Sequence, residues 1–261
     1  MRTFVFTCLL LLGMTTFAQD ANFHIYLCLG QSNMEGNAKV EEQDTVAVDS
    51  RFQVLAAVDC PNLGRTKGNW YKAVPPLARC YTGLTPGDYF GRAMVANLPS
   101  NVRVGIINVA VGGCRIELFD KDNYQFYVET SPDWLKNMVK EYGGNPYARL
   151  VEMAKLAQKD GVIKGILLHQ GESNTNDKDW PLKVKGVYDN LLNDLGLSAA
   201  NVPLLAGEVV HADQNGVCAS MNTIIDSLPQ VIPTAHVISS AGCPAAFDNL
   251  HFTAEGYRML G

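Results

Sequence analysis

Five short apolar runs, at 23–29, 102–109, 162–168, 202–209 and 235–239, recur along this chain with helix-like stretches between them. Apolar runs of this length without alternation are the mark of strands buried on both faces, and such strands belong to parallel sheets covered by helices. The intervening segments carry helix punctuation. Thr85-Pro86 with Asp88 reads as an N-cap, a first-turn proline and an acidic first turn, opening a helix that runs to about Leu98. Pro132 to Tyr142 reads as helix up to Gly143-Gly144. Asn145-Pro146 opens another, in which Tyr147, Leu150, Val151, Ala154 and Ala157 recur at helical spacing until Gly161. Further helices are expected near 180–195 and 219–228 and from Thr253. Strands alternating with helices imply a parallel five-stranded sheet with helices on both faces, an α/β/α three-layer sandwich of flavodoxin-like kind. Residues 37–84 hold Pro61, Gly64, Gly68, Pro75, Pro76 and Gly83 and show little periodicity, so they are expected to form a long structured excursion that shapes a site.

At 261 residues the chain suits one domain of this kind. That domain is expected to be 19–261, because residues 1–18 read as a secretory signal peptide. Arg2 precedes an apolar run from Phe4 to Met14, and Thr16-Phe17-Ala18 offers a small-residue processing site. The run is too short to span a bilayer. The expected location is therefore secreted or periplasmic, with no membrane partner after cleavage. Loss of the segment removes Arg2 and takes the basic residues from 21 to 20 against 26 acidic, a net charge of −6. A mildly acidic surface argues against nucleic acid as partner and leaves neutral glycans open. Cys8 departs with the signal, and six cysteines stay in a compartment that permits disulfides. Cys28 falls in a strand and reads as a buried thiol; Cys60 with Cys80, and Cys218 with Cys243, flank loops and are the candidate bridges. No two cysteines have the close spacing of a zinc site, so no metal is expected.

In such a sheet ligands sit at the carboxyl ends of the strands. Four segments place polar or glycine-rich residues there: 30–36, 112–115, 169–174 and 248–251. Ser32 falls where the first strand turns into a helix and backbone N–H groups are free. Taken alone it reads first as a serine capping that helix. Met34 stands where the nucleophile elbow of α/β-hydrolases needs glycine, and no Gly-Lys-Ser/Thr follows to make a phosphate loop. Asp248 precedes His251 by three residues across a turn, which lets a carboxylate hold Nδ1 and leaves Nε2 to take a proton from serine. A histidine held by a local turn hydrogen bond would show the same spacing. Candidate donors to a developing oxyanion are the Ser32 N–H, an N–H of the Gly112-Gly113 turn and the Gln170 side-chain amide. Glu172 could orient the site, support His251 or face solvent. His169 ends a strand beside Gln170, whereas His24, His211 and His236 read as structural or surface groups.

Four blocks, Gly30-Gln31-Ser32-Asn33-Met34, Gly112-Gly113 with Arg115-Ile116-Glu117, His169-Gln170-Gly171-Glu172-Ser173-Asn174, and Asp248-Asn249-Leu250-His251-Phe252, resemble in order the sialate O-acetylesterase/acetylxylan esterase branch of the SGNH hydrolases (carbohydrate esterase family 6-like). The resemblance covers nearly all of 19–261. It implies a three-layer α/β/α fold, no metal or other cofactor, and an acetylated oligo- or polysaccharide as substrate. It also implies Ser32 as nucleophile, His251 as base, Asp248 as its orienting acid, and Ser32, Gly113 and Gln170 as the oxyanion hole. Cys114 stands where threonine is common in that branch and is expected to be accommodated as a small buried side chain. The chain stops at Gly261 within what the resemblance makes its last helix, so that helix is expected to be cut short. The reading is a secreted serine esterase that deacetylates carbohydrate, with acetylated xylan placed first because a single domain without a β-rich insertion resembles the acetylxylan esterases. A sialate or other sugar O-acetylesterase is the alternative substrate reading. A catalytically inert carbohydrate-binding protein on the same fold is the alternative of another class.

Overall fold

A computed structural model describes residues 19–261. The expected signal peptide, and Cys8 within it, lie outside the described residues. Strands β1 (Asp20–Gly30), β2 (Phe52–Leu55), β3 (Trp70–Lys72), β4 (Arg103–Ala110), β5 (Gly161–His169), β6 (Leu204–Gly207) and β7 (Ala235–Ile238) form one sheet in the order β3-β2-β4-β1-β5-β6-β7. The five expected strands are β1, β4, β5, β6 and β7, and they pair with one another in parallel. The expected five-stranded parallel sheet is nonetheless corrected to seven mixed strands. β2 adds parallel to β4, and β3 returns antiparallel to β2 at the edge. Both lie inside the 37–84 excursion and are too short to show a pattern of their own; pairing with β4 is what makes them extended. Trp70 of β3 packs against Phe23 with ring centroids 4.7 Å apart. It occupies space left by Gly105, where a Cβ would meet the Trp70 ring at 2.7 Å.

The helices are α1 (Ser32–Glu35), α2 (Glu42–Thr45), α3 (Pro86–Asn97), α4 (Tyr124–Thr130), α5 (Asp133–Glu141), α6 (Pro146–Ala157), α7 (Trp180–Leu195), α8 (Asn222–Ile225), α9 (Leu228–Val231) and α10 (Ala254–Leu260). The helix expected over 219–228 is broken into a 3₁₀ turn followed by α8 and α9. The expected caps are present. Thr85 and Asp88 form a reciprocal capping box at α3, Asn145 Oδ1 accepts the Ala148 N–H at 2.9 Å, and Thr253 Oγ1 accepts the Gly256 N–H at 3.1 Å.

Alternation along β1 explains its continuous apolar sequence. Phe23, Ile25, Leu27 and Leu29 join the core that α6 and α7 cover, whereas Tyr26 and Cys28 join the opposite core that holds Val104, Ile106, Val95 and Phe52. Helices therefore close both faces, and only the strand ends are left to present polar groups.

Cys60 and Cys80 are joined with Cα atoms 5.2 Å apart, tying the excursion together. The second expected bridge is not formed. Cys243 is buried in a small cluster with Leu84, Val210, Phe252 and Tyr257, while Cys218 packs on the main core with Sγ 3.8 Å from the Glu172 carbonyl oxygen. Cys28 is a buried free thiol, and so is Cys114, whose Sγ lies 3.5 Å from the Gly30 carbonyl oxygen.

Candidate active site

β1 ends at Gly30 between Ala110 of β4 and His169 of β5. Gly30 has φ +149°, and a Cβ there would fall 2.0 Å from the His169 carbonyl oxygen, so glycine is what lets the chain turn out of the sheet at this point. The turn delivers Ser32 to the first position of α1. From the far end of the sequence, the loop before α10 delivers Asp248 and His251. Asn249 takes a left-handed φ of 53°, and the Asp248 carboxylate accepts the Leu250 and His251 N–H groups, each at 3.0 Å. Next to His251, Phe252 is buried edge-on against the His169 and Tyr257 rings, which anchors the loop.

The three distant side chains meet. Ser32 Oγ lies 2.8 Å from His251 Nε2, and His251 Nδ1 lies 2.7 Å from Asp248 Oδ2. Burial acts to raise the Asp248 carboxyl, but hydrogen bonds from the His251 ring and from the His251 and Leu250 N–H groups outweigh it and hold the carboxyl below its ordinary value. An ionised carboxylate on Nδ1 fixes the tautomer whose Nε2 is an acceptor, the form that can draw a proton from a hydroxyl.

A cleft of about 400 Å³ opens over Ser32, lined among others by Gly113, Trp134, Ser173 and His251. Neither the Ser32 nor the Gly113 backbone N–H donates to an acceptor among the described residues. Gly113 has φ +69°, and a Cβ there would meet the Trp134 ring at 2.7 Å. The neighbouring Gly112 N–H is taken by Glu35 Oε1 at 3.0 Å, and the same oxygen receives Arg79 at 2.5 Å. Arg79 also pairs with Glu141.

Gln170 is brought near the cleft by the fold but is buried and does not line it. Its Nε2 donates to Asn174 Oδ1 at 2.8 Å, Gln31 Oε1 at 3.1 Å and the Cys114 carbonyl at 3.2 Å, and Trp180 Nε1 donates to its oxygen. With every group satisfied inside the protein, the amide braces the loops rather than facing a ligand. Glu172 reaches the cleft wall but does not touch His251. Its Oε1 accepts Asn33 Nδ2 at 2.5 Å, and that same amide group donates to the Leu250 carbonyl at 3.1 Å. Tyr257 donates to Asn33 Oδ1 at 2.6 Å. Glu172 thus acts on the His251 loop through Asn33. His169 is buried with Nε2 2.9 Å from the Glu208 carbonyl, and burial holds its ring below the usual pKa despite the nearby Glu172. Among the described residues, no group of three or more His, Cys, Asp or Glu could hold a metal ion.

A profile of the family described as "Carbohydrate esterase, sialic acid-specific acetylesterase" matches residues 22–261. The chain belongs to that family. Membership makes it a carboxylic ester hydrolase of the carbohydrate esterases, with an acetylated carbohydrate as substrate. A probable carbohydrate esterase of Arabidopsis thaliana is 25% identical to it over 255 residues, covering 91% of this chain and 86% of that protein. Three solved structures share the fold. An Arabidopsis thaliana protein has a TM-score of 0.68 at 20% identity, covering 91% of this chain and 93% of that one. NanS has 0.63 at 14%, covering 93% and 94%. A carbohydrate acetylesterase from Xanthomonas citri has 0.61 at 18%, covering 90% of this chain and 53% of that one.

Four residues of this esterase's site carried no role in the sequence reading: Asn33, Glu35, Arg79 and Tyr257. Asn33 and Glu35 stand inside the 30–36 block, where two polar side chains flanking Met34 on a helix start were a signal of inward-facing work. Arg79 and Tyr257 had no such signal, because their partners lie 44 and 224 residues away.

Proposed function

We propose that this protein is a secreted serine O-acetylesterase in which Ser32 is the nucleophile, His251 the general base and Asp248 its orienting carboxylate. The observation that carries the reading is the continuous hydrogen-bonded line from Ser32 Oγ through the His251 ring to Asp248, 2.8 Å and 2.7 Å in its two links. Ser32 Oγ attacks the acetyl carbonyl carbon as His251 Nε2 takes its proton, and Asp248 stabilises the imidazolium. The oxyanion of the tetrahedral intermediate is received by the Ser32 and Gly113 N–H groups, which have no acceptor among the described residues. Collapse passes the proton from His251 to the departing sugar oxygen and leaves acetyl-Ser32. Water then attacks the acetyl carbon with His251 again as base, and acetate leaves as Ser32 recovers its proton.

Acetylated xylan is the first substrate in this reading, supported by the net negative charge expected of 19–261. A sialate O-acetylesterase is the second reading, favoured by the family description and by Lys39, which lines the groove beside Ser32 without an ion-pair partner among the described residues and would suit a sugar carboxylate. Acetate release by wild type and Ser32→Ala from acetylated xylan and O-acetylated sialic acid tests both mechanism and substrate. Release that depends on Ser32 supports the assignment, the faster substrate sets the order, and equal release by the two proteins refutes it. Export depends on residues 1–18, and finding the protein in the cytoplasm with those residues intact would remove that part of the proposal.

A further inference from the structure

Two clefts meet at Ser32. One, of about 400 Å³, is walled by Gly113, Trp134, Met138 and His251; the other, of about 700 Å³, by Lys39, Arg79, Tyr81, Thr82 and Glu141. Ser32 and Asn37 line both. The nucleophile therefore lies at the junction of two open arms. Each arm alone falls within the roughly 300–1,000 Å³ of ordinary ligand sites, more than an acetyl group and the single sugar bearing it require.

Each arm also carries a large aromatic side chain left open to solvent. Tyr81 is 88% exposed and Trp134 is 54% exposed. Trp134 leans over Gly113, and the Tyr81 backbone is anchored next to the bridged Cys80 while its ring lines the larger arm. Sugar rings offer apolar C–H faces that stack on such planes, while their hydroxyls seek polar partners. Asn37, Thr82 and Glu141 supply these along the larger arm.

We propose, resting on the esterase reading above, that the substrate is a glycan chain acetylated at an internal sugar. The acetylated sugar sits at Ser32, and its neighbours on either side occupy the two arms, stacked on Tyr81 and Trp134. These two residues set a preference for chain length.

The test uses the sugar that wild type deacetylates best. Acetate release is measured from an internally acetylated tetrasaccharide, from the corresponding acetylated monosaccharide and from p-nitrophenyl acetate. The tetrasaccharide is expected to exceed the monosaccharide in kcat/KM by about tenfold or more, the scale on which losing an aromatic contact is felt. Tyr81→Ala and Trp134→Leu, the second keeping bulk over Gly113, should each remove most of that ratio, chiefly through KM. Phe126→Ala removes an aromatic that is 73% exposed but lines neither arm, and should leave the ratio as it is. Equal kcat/KM on the two sugars with p-nitrophenyl acetate still hydrolysed, or a length preference untouched by both variants, overturns the proposal alone. No acetate from any of the three substrates overturns the esterase reading beneath it as well.

Discussion

The Glu35 carboxylate accepts the Gly112 backbone N–H at 3.0 Å on the same oxygen that receives Arg79. One buried ion pair thus holds the peptide next to the Gly113 N–H, the proposed oxyanion donor. Because Arg79 precedes the bridged Cys80, the disulfide lies one residue from this arrangement. Glu35→Gln leaves Arg79 with only the more exposed Glu141 as a charged partner. Stability is expected to fall by about 3 kcal/mol, as when a buried pair loses one member. Below the unfolding transition, kcat on p-nitrophenyl acetate should fall with KM little changed. Urea unfolding and steady-state kinetics read the two effects, and an unaltered kcat would mean that Gly113 needs no such support.

Gly113→Ala tests the donor itself. The left-handed φ of +69° and the Trp134 ring 2.7 Å from a Cβ both push the residue out of place. Moving one oxyanion donor is expected to cost on the order of a hundredfold in kcat. Adding Trp134→Ala relieves the contact but not the backbone strain, so the double variant should recover only part of the rate. Full activity in Gly113→Ala would exclude this N–H from the reaction.

Asn33 joins the helix that begins at Ser32 to the loop that holds His251. Asn33→Ala strips Glu172 of its one amide donor and frees the Leu250 carbonyl, and is expected to destabilise by about 2–4 kcal/mol. Tyr257→Phe removes only the O–H that Asn33 Oδ1 accepts and should cost about 1 kcal/mol. In both, kcat should fall in the same order when compared well below each protein's unfolding midpoint. If kcat is unchanged while stability drops, Asn33 supports the fold and not the alignment of His251.

Asp88 gives the clearest pH signature. Its Oδ1 has no partner among the described residues, and burial raises its carboxyl from 3.8 to about 8 despite the Thr85 N–H and nearby Arg92 and Arg65. The folded state then keeps a proton that the unfolded state releases, so stability declines as pH rises from about 4 to about 8 and levels off above. Asp88→Asn should remove this slope, so that its stability relative to wild type rises as the pH is raised from about 4 to about 8. Urea unfolding of both proteins at stepped pH measures the difference, which separates Asp88 from Asp44 and Asp248, whose carboxyls lie below their ordinary values. Parallel pH curves for the two proteins would contradict it.

What could be read from the chain was whatever acts over a few residues. Apolar runs marked β1, β4, β5, β6 and β7; Thr85, Asn145 and Thr253 marked helix starts; and the three-residue step from Asp248 to His251 is closed by the hydrogen bond that the spacing allows. Positions at the ends of parallel strands then pointed to one rim, where Ser32 and His251 do meet. β2 and β3 were hidden because their extended form comes from β4 and from each other rather than from their own residues.

Gln170 marks the other boundary. A side-chain amide at a strand end reads as a donor free for a ligand, and whether it is free depends on Gln31, Cys114, Asn174 and Trp180 closing around it. The same holds for Cys218 and Cys243, which packing assigns to different clusters, and for Arg79, which finds Glu35 across the excursion. The sequence by itself determined the order of the five parallel strands and of the main helices between them, and placed Ser32, Asp248 and His251 at one edge, since those follow from local pattern and sheet topology. The availability of donors, the support behind Gly112 and Asn33, and the open arms beside Ser32 were decided by tertiary structure, because a hydrogen bond is satisfied or left open only once residues far apart in the chain are packed together.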